Sequence, residues 1–241
     1  MHRLHEMLID GYAGHYAQVN ATVNPRAAGS HYGRALDRMC GDLIARCPAG
    51  SEILDLGCGT GMLLYWLARQ PGITAVGVDA SVGQVQMARR FLPDLEIHLS
   101  DGLAFLRGQQ RRFAGIFCTD VLEHLGSNDA RIEWLEAAQA ALQPGGFFFC
   151  RVPNAAHLLA AYGRYIDLTH DTIFTASSLF QLLEAAGLKR CRIVPIRAAH
   201  MTGRIRLACE RLLHRVIFRI CGNSLDQVVT GNICAVGFNG E

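Results

Sequence analysis

From residue 53 onward, short and nearly unbroken apolar runs alternate with longer stretches whose apolar positions recur every three to four residues. That rhythm predicts buried parallel strands separated by amphipathic helices on both faces of a sheet. The runs lie at 53–56, 73–78, 95–99, 115–119 and 147–152, with two more at 192–196 and 232–238. Helical spacing occupies 62–70, 82–91, 131–142 and 177–186, and a short helix closes at Leu106. Thr175 is placed to cap the helix at 177–186, and Gly187 to stop it. The run at 147–152 is too apolar for an edge and belongs in mid-sheet.

The two ends of the chain depart from this rhythm. Residues 1–49 look helical and polar-aromatic, broken by Asn24-Pro25, with a second helical stretch at 26–47. They are expected to cap the main unit, 50–241, which carries a helical insertion at 198–230. Tyr12, Tyr16, His31 and Tyr32 either line a pocket or, more simply, pack this segment down. Residues 153–175 read as mostly loop. At 204–221 a helical wheel puts Arg204, Arg211, Arg215 and Arg219 on one face. Ile205, Cys209, Leu212, Leu213, Val216 and Ile220 share the other. The simplest placement packs that apolar face on the sheet or in a homodimer. The alternative is peripheral contact with an anionic membrane.

Composition narrows the class. A chain of 241 residues, 50% hydrophobic, suits one large α/β domain and argues against disorder. A net charge of +2 gives no global reason to expect nucleic acid. Nine cysteines without a Cys-x-x-Cys pair, two of them (Cys118 and Cys150) in apolar runs, suggest buried free thiols. No His/Asp spacing suits a metal, so none is expected. The N-terminus lacks the apolar run of a signal peptide, and no uncharged run reaches about 18 residues. A cytoplasmic protein is the expectation, at most peripheral to the inner membrane face.

The chemistry gathers at Asp55-Leu-Gly-Cys-Gly-Thr-Gly61. Gly57, Gly59 and Gly61 let the backbone turn tightly against a ligand, and a helix N-terminus follows. A nicotinamide dinucleotide site would place its third glycine one residue later. Asp55 would repel a pyrophosphate but attract an ammonium group. Asp79 can accept from both hydroxyls of a ribose, and Asp101 from an adenine amine. One amine, one ribose and one adenine, in strand order, spell S-adenosylmethionine.

These segments, with Asp120-Val-Leu-Glu-His124 and Leu142-Gln-Pro-Gly-Gly146, resemble the successive motifs of class I S-adenosylmethionine-dependent methyltransferases. The resemblance covers about residues 50–196. It implies a Rossmann-like α/β fold, a seven-stranded mixed sheet of order 3-2-1-4-5-7-6 with the last strand antiparallel. It also implies that Gly57 and Gly59 pack on the methionine part, Asp79 holds the ribose, and Asp101, Gly102 and Leu103 flank the adenine. Cys58, Gly61, Ala80, Thr119, Asp120 and Tyr16 complete the expected cofactor contacts. Val152-Pro-Asn154 and the stretches 162–175 and 178–187 are similar to a subgroup found in bacterial surface-polysaccharide (O-antigen type) biosynthesis.

Methyl transfer to a hydroxyl requires loss of the hydroxyl proton, a task suited to imidazole. His170 is the first candidate, oriented by Asp171 or Asp167, and His124 the second. Glu123 can accept from the acceptor hydroxyl, and Arg164 and Tyr165 can bind its phosphate or sugar. The expected function is methylation of a hydroxyl of a sugar or other small molecule, in surface-glycan formation. The alternatives are methylation of a quinone-type or natural-product metabolite, and a catalytically inactive cofactor-binding protein. The segment after the fourth strand lacks the Asn/Asp-Pro-Pro-aromatic signature of base methylation, so no nucleic-acid partner is expected.

Overall fold

The computed structural model describes residues 24–198, 200–222 and 228–240, with the side chains at 26–31 excepted. Tyr12 and Tyr16 lie outside the described residues. In chain order the elements are α1 (Pro25–Ile44), β1 (Ser51–Leu56), α2 (Met62–Leu67), β2 (Ile73–Asp79), α3 (Val82–Phe91) and β3 (Glu96–Leu99). Then come α4 (Gly102–Arg107), β4 (Phe113–Thr119), a 3-10 turn (Leu122–His124), α5 (Asn128–Ala141) and β5 (Leu142–Pro153). The chain closes with α6 (Ala160–Tyr165), α7 (Ala176–Ala185), β6 (Lys189–Val194), α8 (Met201–Ile220) and β7 (Asn232–Phe238).

The seven strands form one sheet in the order β3-β2-β1-β4-β5-β7-β6. All neighbours are parallel except β7, which runs antiparallel to both β5 and β6. The order and the reversed strand are those implied by the resemblance. Consecutive residues of a strand point to opposite faces, so each central strand feeds two cores. Leu54, Ile116 and Phe148 face Trp134 and Leu135 of α5 and Leu183 of α7. Ile53, Phe117 and Phe149 face Leu36 and Cys40 of α1 and Leu64 and Trp66 of α2. Gly115 makes this packing possible, because a Cβ there would lie 2.3 Å from the ring of Phe147.

Helix starts follow local capping chemistry. The Ser81 and Ser127 hydroxyls accept from backbone N–H groups at the heads of α3 and α5, and Thr175 with Ser178 forms a reciprocal capping box on α7.

Four features depart from expectation in ways that matter for the site or the surface. Leu142 leaves α5 and opens β5, pairing with Phe113, and the register shifts before Gly115–Phe147. The fully buried Leu142 anchors that early turn of strand. A short helix, α6, interrupts the segment read as loop. Strand β6 starts three residues early, at Lys189, with a bulge at which Arg190 adopts φ 52°.

The fourth difference concerns α8. It packs through a third sector of its surface, with His214 buried and Leu207, Glu210, Ile217 and Phe218 half-buried. The His157 ring meets the Glu210 carboxylate at 2.7 Å. The amide of Leu158 donates to Nε2 of His214 at 3.0 Å, while Nδ1–H donates to the Glu210 carbonyl. The apolar set expected against the sheet is instead exposed, from 47% at Val216 to 79% at Ile220.

Candidate active site

The carboxyl ends of β1, β2 and β4 converge where the glycine turn crosses the sheet. Gly57, Gly59 and Gly61 have φ of 82°, 54° and 88°, a left-handed path that side chains rarely follow. A Cβ on Gly57 would lie 2.3 Å from Val121 Cγ2, so the turn is closed against the end of β4 as well as strained. The amides of Gly57 and Cys58 donate to the Val78 carbonyl, which ties the turn to β2.

Asp79 clamps the same turn from β2. Its Oδ2 accepts from the Gly59 amide and its Oδ1 from the Ser81 amide, both at 2.8 Å. Each oxygen keeps a second lone pair, so the carboxylate can still meet two hydroxyls. Ala80 beside it is exposed. Asp101 is exposed and caps α4 through Ala104 N at 2.9 Å, the role of a strand-end turn residue. A Cβ on Gly102 would meet Trp134 Nε1 at 3.1 Å, and Leu103 is half-buried next to it.

Asp55 is the clearest sign of a missing counter-charge. It is 1% exposed, and neither carboxylate oxygen has a hydrogen-bond partner among the described residues. Burial, then the neighbouring Asp79, push its pKa to about 8, only partly opposed by the Leu64 amide and Arg151. A buried acid held neutral for want of a cation, beside a glycine cradle, fits the ammonium and amino-acid portion of S-adenosylmethionine. The Cys58 thiol is pushed up by burial and serves as packing.

Thr119 ends β4, half-buried. Asp120 follows in a left-handed conformation, φ 58°, unusual for a residue with a side chain. Its carboxylate is engaged by Arg151 of β5, Nε to Oδ1 at 2.9 Å and Nη2 to Oδ2 in parallel. Arg151 is a site residue that sequence reasoning missed, hidden inside an apolar strand. Tyr32 of α1 joins them, its phenol raised by burial, with Arg151, Asp120 and Asp55 as the nearest charges. Tyr32 packs α1 onto the sheet, partly buried against the second core.

A second constellation forms where residues 167–172 cross the 3-10 turn. The Glu123 carbonyl accepts from the Asp171 amide at 2.7 Å, and Asp171 Oδ2 accepts from the Gly126 amide at 2.7 Å. This lattice brings His170 against His124, ring centroids 4.8 Å apart. Thr169 Oγ1 donates to Asp167 Oδ1 at 2.7 Å, so it accepts from Nδ1 of His124 at 2.8 Å. Nδ1 of His170 donates to the Gly163 carbonyl at 2.9 Å. Both rings are thereby set with Nε2 as the basic nitrogen. Burial and the adjacent His170 depress the pKa of His124 to about 4. Glu123 is fully buried, with neither oxygen partnered among the described residues, and burial and Asp120 raise its pKa well above the carboxylate range.

Asp171 accepts from the Gly126 amide, and Asp167 accepts from Thr169, which meets His124, so both carry contacts beyond the orienting role expected of them at His170. Arg164 lies over Tyr165 at 5.2 Å and donates to the Asp171 carbonyl. The expectation of no metal-ligand set also needs amendment. Ligand atoms of Glu123, His124 and His170 lie within 4.8 Å of one another, within reach of one cation. Sequence spacing could not show this, because the fold alone brings His170 to the Glu-His pair.

A seven-stranded sheet of this order, with a glycine turn, a buried acid at the end of β1 and a clamp at the end of β2, defines the class of S-adenosylmethionine-dependent methyltransferases. The family profile described as "Methyltransferase domain" matches residues 30–191, and the chain belongs to that family. A ubiquinone biosynthesis O-methyltransferase of Dinoroseobacter shibae is 33% identical over 156 residues, 58% of this chain and 60% of that one. A trans-aconitate 2-methyltransferase of Paracidovorax citrulli is 34% identical over 116 residues, 47% of this chain and 44% of that one. The chain thus spans less than two thirds of these relatives. Among solved structures, a SAM-dependent methyltransferase from Archaeoglobus fulgidus superposes with a TM-score of 0.65 at 19% identity. It covers 85% of this chain and 92% of its own.

Proposed function

We propose that the protein methylates an acidic hydroxyl, phenolic or enolic, on a small quinone-type metabolite. The observation that carries this reading is the set of the two imidazoles beside Glu123. S-adenosylmethionine, when bound, supplies a methyl group on a sulfonium. Asp55, the glycine turn and Asp79 would hold it, and the chain's remaining task is to orient the acceptor and remove its proton.

One base in reach is weak. His124, with a pKa depressed to about 4, is neutral at physiological pH but holds an added proton poorly. Such a wall suits an acceptor that gives up its proton readily, such as a phenol with a pKa near ~10. A sugar hydroxyl is a far weaker acid and asks for a stronger base. The ubiquinone O-methyltransferases among the relatives support the quinone-type acceptor over the surface-glycan acceptor expected from the sequence. During transfer the acceptor oxygen gains the methyl, and its proton passes to Nε2 of His170 or His124.

The test is transfer of labelled methyl to two panels, hydroxybenzoates and catechols against nucleotide sugars and lipid-linked oligosaccharides. Turnover confined to the phenolic panel is expected. Turnover confined to sugars would overturn the reading. Cofactor binding without turnover on either panel would favour the inactive binding protein.

A further inference from the structure

We infer that α8 and the adjoining 158–168 segment form a docking surface for an anionic lipid bilayer. Fourteen large apolar side chains are exposed among the described residues, and twelve of them lie in these two stretches. Monomeric surfaces scatter such residues singly, so a concentration of this kind marks an interaction face. The two stretches are one surface, because His157 and Leu158 are bonded to Glu210 and His214 in the middle of α8.

The geometry of α8 says what lies against that face. With 3.6 residues per turn, buried His214 faces the body of the protein, and Ile205, Leu212 and Val216 fall on the opposite side. Arg204, Arg211, Arg215 and Arg219 fill one flank between these sectors, and Arg206 lies on the other. The helix has a single acid, Glu210, which is turned inward to His157. The outward surface therefore combines an apolar crest with uncompensated positive flanks. Such a helix lies in the membrane plane with its crest among acyl chains and its arginines at phosphate level. Exposed Tyr162 and Tyr165, at 67% and 73%, are suited to the same headgroup depth.

A second copy of the chain is the poorer occupant. It would bring five more arginines to the seam with no exposed acid on the helix to meet them. Crossing the bilayer is also excluded for this element, since no helix among the described residues is long and apolar enough. This inference does not depend on the nature of the acceptor, and its test needs none.

Full-length protein is sedimented with vesicles of phosphatidylcholine alone and of phosphatidylcholine with phosphatidylglycerol, at low and high salt. Pelleting with the anionic vesicles, weakened by salt, is expected. A Leu212→Asp/Val216→Asp variant should lose it, and Arg211→Glu/Arg215→Glu should cut partitioning by roughly tenfold or more. Both pairs are exposed, so thermal melting and cofactor binding should match the parent. Absence of pelleting with anionic vesicles overturns the inference. So does equal pelleting with both vesicle types, or a dimer by light scattering that the Leu212→Asp/Val216→Asp variant dissolves.

Discussion

Cofactor binding should release a proton, and Asp55 is its source. This acid is buried with neither oxygen partnered among the described residues, and burial and Asp79 push its pKa up to about 8. At pH 7 only about one molecule in ten has it ionised, and at pH 6 about one in a hundred. A cationic ammonium selects the ionised form, so apparent affinity scales with that fraction. The Kd should fall about ninefold from pH 6 to 7 and about fivefold from pH 7 to 8, and level off above. Calorimetry in buffers of different ionisation enthalpy should count close to one proton released at pH 7. Asp55→Asn keeps the shape and removes the titration. Its Kd should be flat across this range and on the order of 10- to 100-fold weaker than the parent at pH 8.

Stability moves with the same group in the opposite sense. Between about pH 4 and 8 the folded apo-protein holds a proton at Asp55 that the unfolded chain has lost, so stability falls as pH rises. The slope is at most roughly 1.4 kcal/mol per pH unit. Asp55→Asn should therefore raise the apo melting temperature at pH 8 while weakening the ligand. A parent protein whose affinity is flat from pH 6 to 8, or an Asn variant with the parent's slope, would refute the reasoning.

Other outcomes are equally specific. His170→Ala should lower methyl transfer by about 10²–10⁴-fold with cofactor affinity retained, measured by single-turnover assay and calorimetry. His124 titrates near 4 when folded and near 6.5 when unfolded, so its contribution to stability is full above about pH 6.5 and lost as pH falls toward 4. A His124→Asn variant should flatten that acid limb in urea titrations. Gly57→Ala meets both a φ of 82° and Val121 at 2.3 Å, and should cost about 1–3 kcal/mol and abolish cofactor binding. Val121→Ala on that background relieves the contact but not the strain, so rescue in melting should be partial. Arg151→Met leaves Asp120 half-buried without its partner, a loss of about 1–3 kcal/mol that Asp120→Asn in the same chain should largely restore.

Strand order and the glycine turn were legible because both are written locally, in apolar runs and in residues whose backbone angles only glycine takes easily. The placement of Asp55 and Asp79 beside that turn was legible for the same reason, each lying at the carboxyl end of a strand. Arg151 was not, because its partner Asp120 lies just past the end of a neighbouring strand and its own strand reads as core. The link from Asp167 through Thr169 to His124 was not legible either, since only the fold carries Thr169 to His124. The apolar face of α8 was correctly grouped, but it does not pack on the sheet. A wheel shows which residues share a side, whereas the packed sector was chosen by Glu210 and His214 meeting partners elsewhere.

The backbone lattice between the 3-10 turn and residues 167–172 bears on how acceptor preference could be re-engineered. The Glu123 carbonyl and the Gly126 amide bind Asp171 from both sides. A foreign acceptor loop grafted over 154–175 would arrive without the matching turn, leaving buried polar groups unmet and His124 unheld. The two stretches form one transplantable cassette, although α5, β5 and α6 separate them along the chain.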